Sequence, residues 1–269
     1  MNKTRILLEE EFKIENFDLK FSLNNGDCLE LMKDIPDKSI DMILCDLPYG
    51  TTKNKWDSPI SLEKLWEQYN RIIKDNGAII LFAQTPFDKV LGMSNLKMLR
   101  YEWIWEKTTA TGHLNAKKMP MKAHENILVF YKKLPTYNPQ KTIGHTPVHS
   151  YTKHQDDGSN YGKTKIGITG GGSTERYPRS VQIFKTDKQK EALHPTQKPV
   201  ELLQYLIKTY TNEGELVLDN CMGSGSTGVA CLKSNRSFIG IELDKGYFDL
   251  AKNRIEDYFV SLKGGNYEG

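Results

Sequence analysis

One stretch in the last third of the chain restricts the fold more than any other. Leu216-Val217-Leu218-Asp219 is a short apolar strand that runs directly into Asn220-Cys221-Met222-Gly223-Ser224-Gly225-Ser226-Thr227-Gly228, followed by the apolar Val229-Ala230-Cys231-Leu232. A strand, a Gly-rich turn and a helix in that order bring main-chain N–H groups and a helix N-terminus toward a ligand with no Cβ in the way. A second strand, Phe238-Ile239-Gly240-Ile241, ends in Glu242. That is close to the spacing of ~20 residues at which a nucleotide-binding βαβ unit sets an acid against ribose hydroxyls. The stretch reads as the nucleoside-binding half of a parallel α/β sheet.

Upstream, short apolar runs alternate with amphipathic segments. Strands are expected at 40–46, 78–83, 101–105, 126–131, 216–219 and 237–242, with a short one ahead of Asp27. This is the pattern of a mostly parallel sheet covered by helices on both faces. Ser61 stands as a cap before Leu62, Leu65, Trp66, Tyr69 and Ile73, which share one face of a helix and read as core. The strand at 40–46 closes on Asp46-Leu47-Pro48-Tyr49. A carboxylate there can accept an N–H from a planar base carrying an amino group, Pro48 stiffens the turn and removes a competing donor, and Tyr49 offers a stacking face. Taken alone, the four residues equally describe a strand ending in a Pro turn whose Asp caps the next segment.

Four motifs in order are more specific than any one. Asp46 to Tyr49 is similar to the Asp-Pro-Pro-Tyr of DNA amino-methyltransferases that use S-adenosylmethionine, and Asp219 to Gly225 to their cofactor loop, Asp-Pro-Phe-x-Gly-Ser-Gly. Asn25-Gly26-Asp27-Cys28-Leu29-Glu30 and His194-Pro195-Thr196-Gln197-Lys198-Pro199 resemble two further signatures of the permuted group, in which the catalytic motif precedes the cofactor motif. The likeness covers residues from about 23 to 135 and 194 to 258. Leu47 departs from it, standing where the family usually has its first Pro, and Asn220-Cys221 replace the usual Pro-Phe.

The resemblance implies a circularly permuted, doubly wound, Rossmann-like methyltransferase sheet with an irregular inserted target-recognition region. Residues 1–135 would be the catalytic half, 136–193 the insertion and 194–269 the cofactor-binding half. The implied activity is site-specific DNA methylation at the exocyclic N6 amine of adenine on a flipped base. The Asp-led tetrapeptide is more similar to adenine-directed enzymes, with N4 of cytosine the nearer alternative and a non-catalytic DNA-binding relative the other. Asp46 and the main-chain carbonyl of Leu47 would accept the two N–H bonds of the amine, with Pro48 and Tyr49 setting the turn and sandwiching the base.

In the cofactor set, Asp219 would fix the loop or meet the methionine ammonium, Gly223 and Gly225 admit the backbone, and Glu242 bind the ribose diol. Asp27 and Cys28 would meet the adenine edge, and Thr196 and Lys198 the methionine carboxylate. Asp46, Met222, Ser224 and Leu243 complete the set. Asp27 can instead cap a helix at 28–35, and Lys198 can be a surface charge before helix-starting Pro199. His124-Glu125 matches a weaker family pattern and reads as a loop anchor.

Between Leu134 and Leu193 periodicity fades. Lys141, Lys153, Lys163, Lys165, Arg176, Arg179 and Lys185 interleave with Tyr151, Tyr161 and Tyr177, mixing phosphate contacts with stacking faces. A solvated loop of ordinary charge is the plain alternative. A second basic stretch at 107–122, with His113, Asn115, Lys117 and Lys118, is expected to be mobile without DNA and to close over the target strand. Net charge is +3, which permits double-stranded DNA as a partner without requiring it.

No run approaches the ~18 apolar residues of a membrane span, and the N-terminal Met1 to Leu8 turns acidic at Glu9-Glu10-Glu11 before a signal core forms. A cytoplasmic protein is expected, its four scattered cysteines reduced. His145 and His149 have zinc-like spacing but no Cys pair beside them, so no metal is expected. The resemblance adds a cognate restriction endonuclease and a second copy of the chain, in a homodimer, as partners.

Overall fold

A computed structural model describes residues 10–14, 17–49, 59–152, 167–185 and 197–264. The first half contains β1 (Glu10–Ile14), β2 (Phe17–Asn25), α1 (Cys28–Leu31), β3 (Ile40–Asp46), α2 (Leu62–Ile72), β4 (Ile73–Ala83), α3 (Phe87–Ser94), β5 (Leu99–Thr111) and β6 (Lys122–Phe130). The second contains β7 (Tyr151–Thr152), β8 (Thr169–Gly170), β9 (Val181–Phe184), α4 (Val200–Tyr210), β10 (Leu216–Asp219), α5 (Ser226–Leu232), β11 (Ser237–Glu242) and α6 (Lys245–Gly264).

Among the described residues, nine strands form one sheet in the order β1-β2-β11-β10-β3-β4-β6-β5-β9. The five from β2 to β4 run parallel, β1 closes one edge antiparallel, and β6 is antiparallel to both β4 and β5. Strands buried on both faces read as continuous apolar runs whose side chains alternate between layers. Met42 and Leu44 of β3, with Ala78, Ile80 and Phe82 of β4, pack in the layer that includes Leu203 of α4, Ala230 of α5 and Ile255 of α6. Ile43, Cys45, Ile79, Leu81 and Ala83 pack in the opposite layer, with Cys28 of α1, Leu65 of α2 and Leu91 of α3.

Several spans differ from expectation. The helix expected at 28–35 is the four-residue α1 followed by a 3-10 turn, Met32–Asp34. Ser61 makes no side-chain cap bond, and the first helical bond is Leu65 N–H to the Ser61 carbonyl. β5 continues well past Trp105, where the apolar pattern stops, because it pairs with β6 as far as Thr111 opposite Lys122. The basic stretch at 107–122 is therefore an ordered hairpin.

The strand order reverses about the parallel β10/β3 pair. β3 leads through α2 to β4 on one side, and β10 leads through α5 to β11 on the other. The crevice at the carboxyl ends of such a pair is where open α/β sheets bind ligands.

Close packing divides the chain into two units, Met1–Asn138 with Ser180–Gly269, and Pro139–Arg179. The segment 136–193 is thus not wholly outside the sheet, since β9 is its edge strand beside β5. The small unit holds the β7–β8 ribbon and a Thr142–Arg176 bridge, and the Arg176 guanidinium donates to the carbonyls of Ser173, Glu175 and Thr146. Tyr151 and Tyr177 are exposed, while Lys141 is paired with Glu175 at 2.7 Å. Lys153, Tyr161, Lys163, Lys165 and the N-terminal Met1 to Glu9 lie outside the described residues.

Candidate active site

The cavity at this crevice measures about 490 Å³ and takes its walls from the carboxyl ends of β2, β3, β4, β10 and β11. At the end of β3, Asp46 Oδ1 accepts the Tyr49 O–H at 2.7 Å and Oδ2 accepts an N–H of Lys198 at 2.5 Å. The Tyr49 ring packs on Phe87 with 5.1 Å between centroids. Burial first, then the Asp46 charge, pushes the Tyr49 hydroxyl well above its ordinary pKa, so it stays a donor. Leu47 is 3% exposed and its side chain joins the apolar layer of α1 to α3, while the residue and Pro48 also border the cavity.

Lys198 lies just ahead of α4 and is 7% exposed, so the surface-charge alternative falls. Its Nζ is 3.3 Å from Glu125 Oε2, an ion-pair distance without the alignment of a hydrogen bond, and Glu125 Oε1 pairs with Lys107. Burial opposes charge on Lys198, but the Asp46 and Glu125 carboxylates outweigh it and hold the ammonium above its usual range. Burial likewise opposes charge on Glu125, and Lys198 and Lys107 together hold its carboxyl below the usual carboxylate range. Two acids and two amines thus form a closed, mutually neutralising group. Glu125, expected to be a loop anchor, stands on the cavity wall. Its signals in the sequence were the weaker His124-Glu125 family pattern and a charged residue opening the apolar run at 126–131.

On the other side of the crevice, β10 ends in Asp219. Its Oδ1 accepts the Cys221 N–H at 3.1 Å and its Oδ2 the Thr227 O–H at 2.6 Å. These bonds describe the loop-fixing role of the two read from the sequence. Burial pushes this acid up to about 7. Gly223 and Gly225 both have left-handed φ, 51° and 76°. A Cβ on Gly223 would meet no atom within 4 Å, whereas on Gly225 it would lie 3.1 Å from Ala251 Cα and 3.2 Å from its carbonyl oxygen. Gly223 therefore faces open cavity. Of the described members of the expected cofactor set, Gly225 alone lies off the cavity wall, and its missing side chain lets α5 approach α6 instead.

Glu242 Oε2 accepts the Gly223 N–H and Oε1 the Asp244 N–H, each at 2.9 Å, and burial raises its carboxyl pKa. Asp27 caps α1, its Oδ1 accepting from the N–H groups of Leu29 and Glu30, and it also borders the cavity. Cys28, Met222, Ser224 and Leu243 border it too, and Thr196 lies outside the described residues. Asn220, in place of the family's usual Pro, accepts the Tyr69 O–H on Oδ1 at 2.5 Å. Its Nδ2 lies 3.6 Å from Cys28 Sγ and 3.5 Å from Cys221 Sγ. One amide thereby ties α2, α1 and the loop together beneath the cavity.

Residues 40–253 match the DNA methylase family N6_N4_Mtase. The chain belongs to this family. As a DNA methylase of that family it is a DNA amino-methyltransferase, and DNA is its substrate. The DNA adenine methyltransferase YhdJ of Escherichia coli (strain K12) is 27% identical over 251 residues, 86% of this chain and 81% of that protein. The type II methyltransferase M2.MboI of Moraxella bovis is 26% identical over 275 residues, 93% and 92% of the two chains. Among solved structures, the M1.HpyAVI–SAM complex matches with a TM-score of 0.61 at 24% identity, covering 87% of this chain and 98% of that one. The cytosine-N4-specific PvuII DNA methyltransferase matches with a TM-score of 0.64 at 14% identity, covering 93% and 94%. At such identities the likeness is one of fold, the Rossmann-like methyltransferase sheet expected from the sequence.

Proposed function

We propose that this DNA amino-methyltransferase transfers a methyl group from S-adenosylmethionine to the exocyclic N6 amine of adenine in double-stranded DNA. The observation that carries the reading is one cavity shared by Asp46, at the end of β3, and by Gly223 and Glu242 of the β10–β11 half. The residues present fit the cofactor. Gly223 leaves a gap that a side chain would occupy, the carboxylates of Asp27 and Glu242 offer acceptors for amino and hydroxyl hydrogens, and Met222, Leu243 and Tyr247 add apolar contact. Bound there, the cofactor supplies an electrophilic methyl group carried on a sulfonium.

The chain's own residues prepare the amine. Asp46 accepts one N–H and the main-chain carbonyl of Leu47 the other, which draws the nitrogen lone pair out of conjugation with the ring. Positive charge growing on nitrogen strengthens both contacts, so they favour the transition state over the ground state. Because the second acceptor is main chain, a leucine in place of proline leaves this chemistry intact. Pro48 sets the turn and Tyr49 stacks on the base, which must leave the duplex to arrive.

Adenine is favoured over cytosine by the Asp-led tetrapeptide and by the relative YhdJ, named an adenine methyltransferase. Residues 1–135 serve as the catalytic half, 136–193 as the target-recognition region, supported by exposed Tyr151 and Tyr177, and 194–269 as the cofactor half. A cognate restriction endonuclease, a homodimer and a cytoplasmic location complete the reading. The relative M2.MboI is named a type II methyltransferase, and among the described residues no helix is long and apolar enough to cross a membrane.

The test is transfer of labelled methyl from S-adenosylmethionine to unmethylated DNA, with nucleoside analysis of the product and Asp46→Ala as control. N6-methyladenine that disappears in the variant is the expected result. N4-methylcytosine would overturn the base. An inert wild type that still binds cofactor would favour a non-catalytic DNA-binding relative.

A further inference from the structure

The β5–β6 hairpin leaves the cavity wall at Thr111 and ends in an apolar tip. The tip is a built turn. Gly112 reverses the chain at φ 94°, Asn115 N–H bonds to the Gly112 carbonyl at 3.0 Å, and Ala116 N–H to that of His113 at 3.1 Å. The N–H groups of Lys118 and Met119 then bond to the Asn115 carbonyl at 2.8 and 3.0 Å. This arrangement holds Leu114 fully clear of the protein at 101% exposure, with Met119 at 54%.

A single exposed apolar side chain is ordinary. This one differs in its setting. No carboxylate occurs between Glu106 and Glu125, whereas His113, Lys117, Lys118, Lys122 and His124 all fall in that span and are all exposed. Such a turn suits a polyanion. A phosphate backbone gives a protruding leucine nothing to pack against, but the faces of stacked bases do. Extruding a base leaves a gap in the stack, and an apolar side chain seated there holds the duplex open.

We propose, on the reading of this enzyme as one that methylates a flipped base, that Leu114 is a wedge entering the base stack beside the target. Lys117 and Lys118 grip the flanking phosphates. Thr111 at the end of β5 lines the cavity, and Leu114 follows in the turn just beyond it, so the wedge is carried on the wall of the pocket that receives the base.

The sequence modified by the wild type in unmethylated genomic DNA defines two test duplexes, one fully paired and one with an abasic site opposite the target base. Single-turnover methylation by Leu114→Ala should slow roughly tenfold or more on the paired duplex and return toward the wild-type rate on the abasic one, where opening is easier. Leu114→Met, which keeps an apolar wedge, should match wild type on both. A Lys117→Ala/Lys118→Ala double variant should weaken binding to both duplexes and reduce its salt dependence. Equal slowing of Leu114→Ala on both duplexes, or on neither, would overturn the wedge and leave methyl transfer standing. No methyl transfer by wild type to any DNA would overturn the flipped-base reading and the wedge with it.

Discussion

Lys198 and Asp46 stand 152 positions apart in the chain and 2.5 Å apart in space. The same ammonium lies 5.2 Å from the centroid of the Phe82 ring and 3.3 Å from Glu125 Oε2. A buried cation thus fixes one oxygen of the carboxylate in the catalytic motif, and the Tyr49 hydroxyl fixes the other at 2.7 Å. A carboxylate has about four acceptor sites, so Asp46 keeps capacity for an incoming N–H while its orientation is set from two sides.

Replacing Lys198 with Gln leaves Glu125 with Lys107 as its remaining cation against burial. Methyl transfer should fall by roughly 10²-fold, and the acid limb of the pH–rate profile should move to higher pH. The sign for stability is separate. Glu125 is held below the usual carboxylate range, so its stabilising contribution is present above that range and is lost as pH falls through the lowered value. Lys198→Gln should shrink that contribution. An acid limb that stays in place while the rate drops would mean that Lys198 acts through geometry alone.

Tyr49→Phe removes the O–H bond to Asp46 and keeps the ring on Phe87. One such bond is worth about 1 kcal/mol, so kcat should fall about fivefold with cofactor affinity unchanged. Tyr49→Ala removes the stacking face as well and should cost substantially more, as measured on single-stranded and duplex substrates side by side.

The two left-handed glycines separate stability from binding. Gly225→Ala forces a Cβ against the Ala251 backbone and should destabilise the fold by about 1–3 kcal/mol in urea unfolding. Gly223→Ala meets no atom, so its fold should lose only about 1–2 kcal/mol to backbone strain. Its methyl group occupies cavity space, and calorimetry should show the larger loss in S-adenosylmethionine affinity at this position.

Tyr69→Phe strips the donor from Asn220 Oδ1 at a fully buried site. An orphaned buried acceptor costs about 1–3 kcal/mol. Thermal unfolding should register that loss, and a variant as stable as wild type would mean that another donor reaches the amide.

Asp219 is raised by burial from the ordinary 3.8 to about 7. Between those values the folded protein keeps a proton that the unfolded chain has lost, so stability from this group is greatest at low pH and declines as pH rises to about 7. Asp219→Asn cannot titrate. The stability of wild type relative to this variant should therefore fall across that window and level off above it, and a flat difference would place the titration elsewhere.

Local physics determined much of this molecule from its sequence. An apolar run of strand length, a Gly-rich turn and a following amphipathic segment need no distant partner to be recognised, so the spans 40–46, 216–219 and 237–242 agree with β3, β10 and β11. The order of the motifs carried the permuted α/β architecture and the pairing of Asp46 with a cofactor loop. Tertiary structure alone decided the rest. β9 is four residues long and becomes a strand only because β5 offers an edge, and β5 outruns its own apolar pattern because β6 pairs with it. Asp46, Lys107, Glu125 and Lys198 come from β3, β5, β6 and the approach to α4, and each is an ordinary charge in one dimension. They become a single group only when the sheet closes and removes water. Burial makes an unpaired charge too costly to keep, and the partner that neutralises it is chosen by the fold rather than by the neighbouring residues.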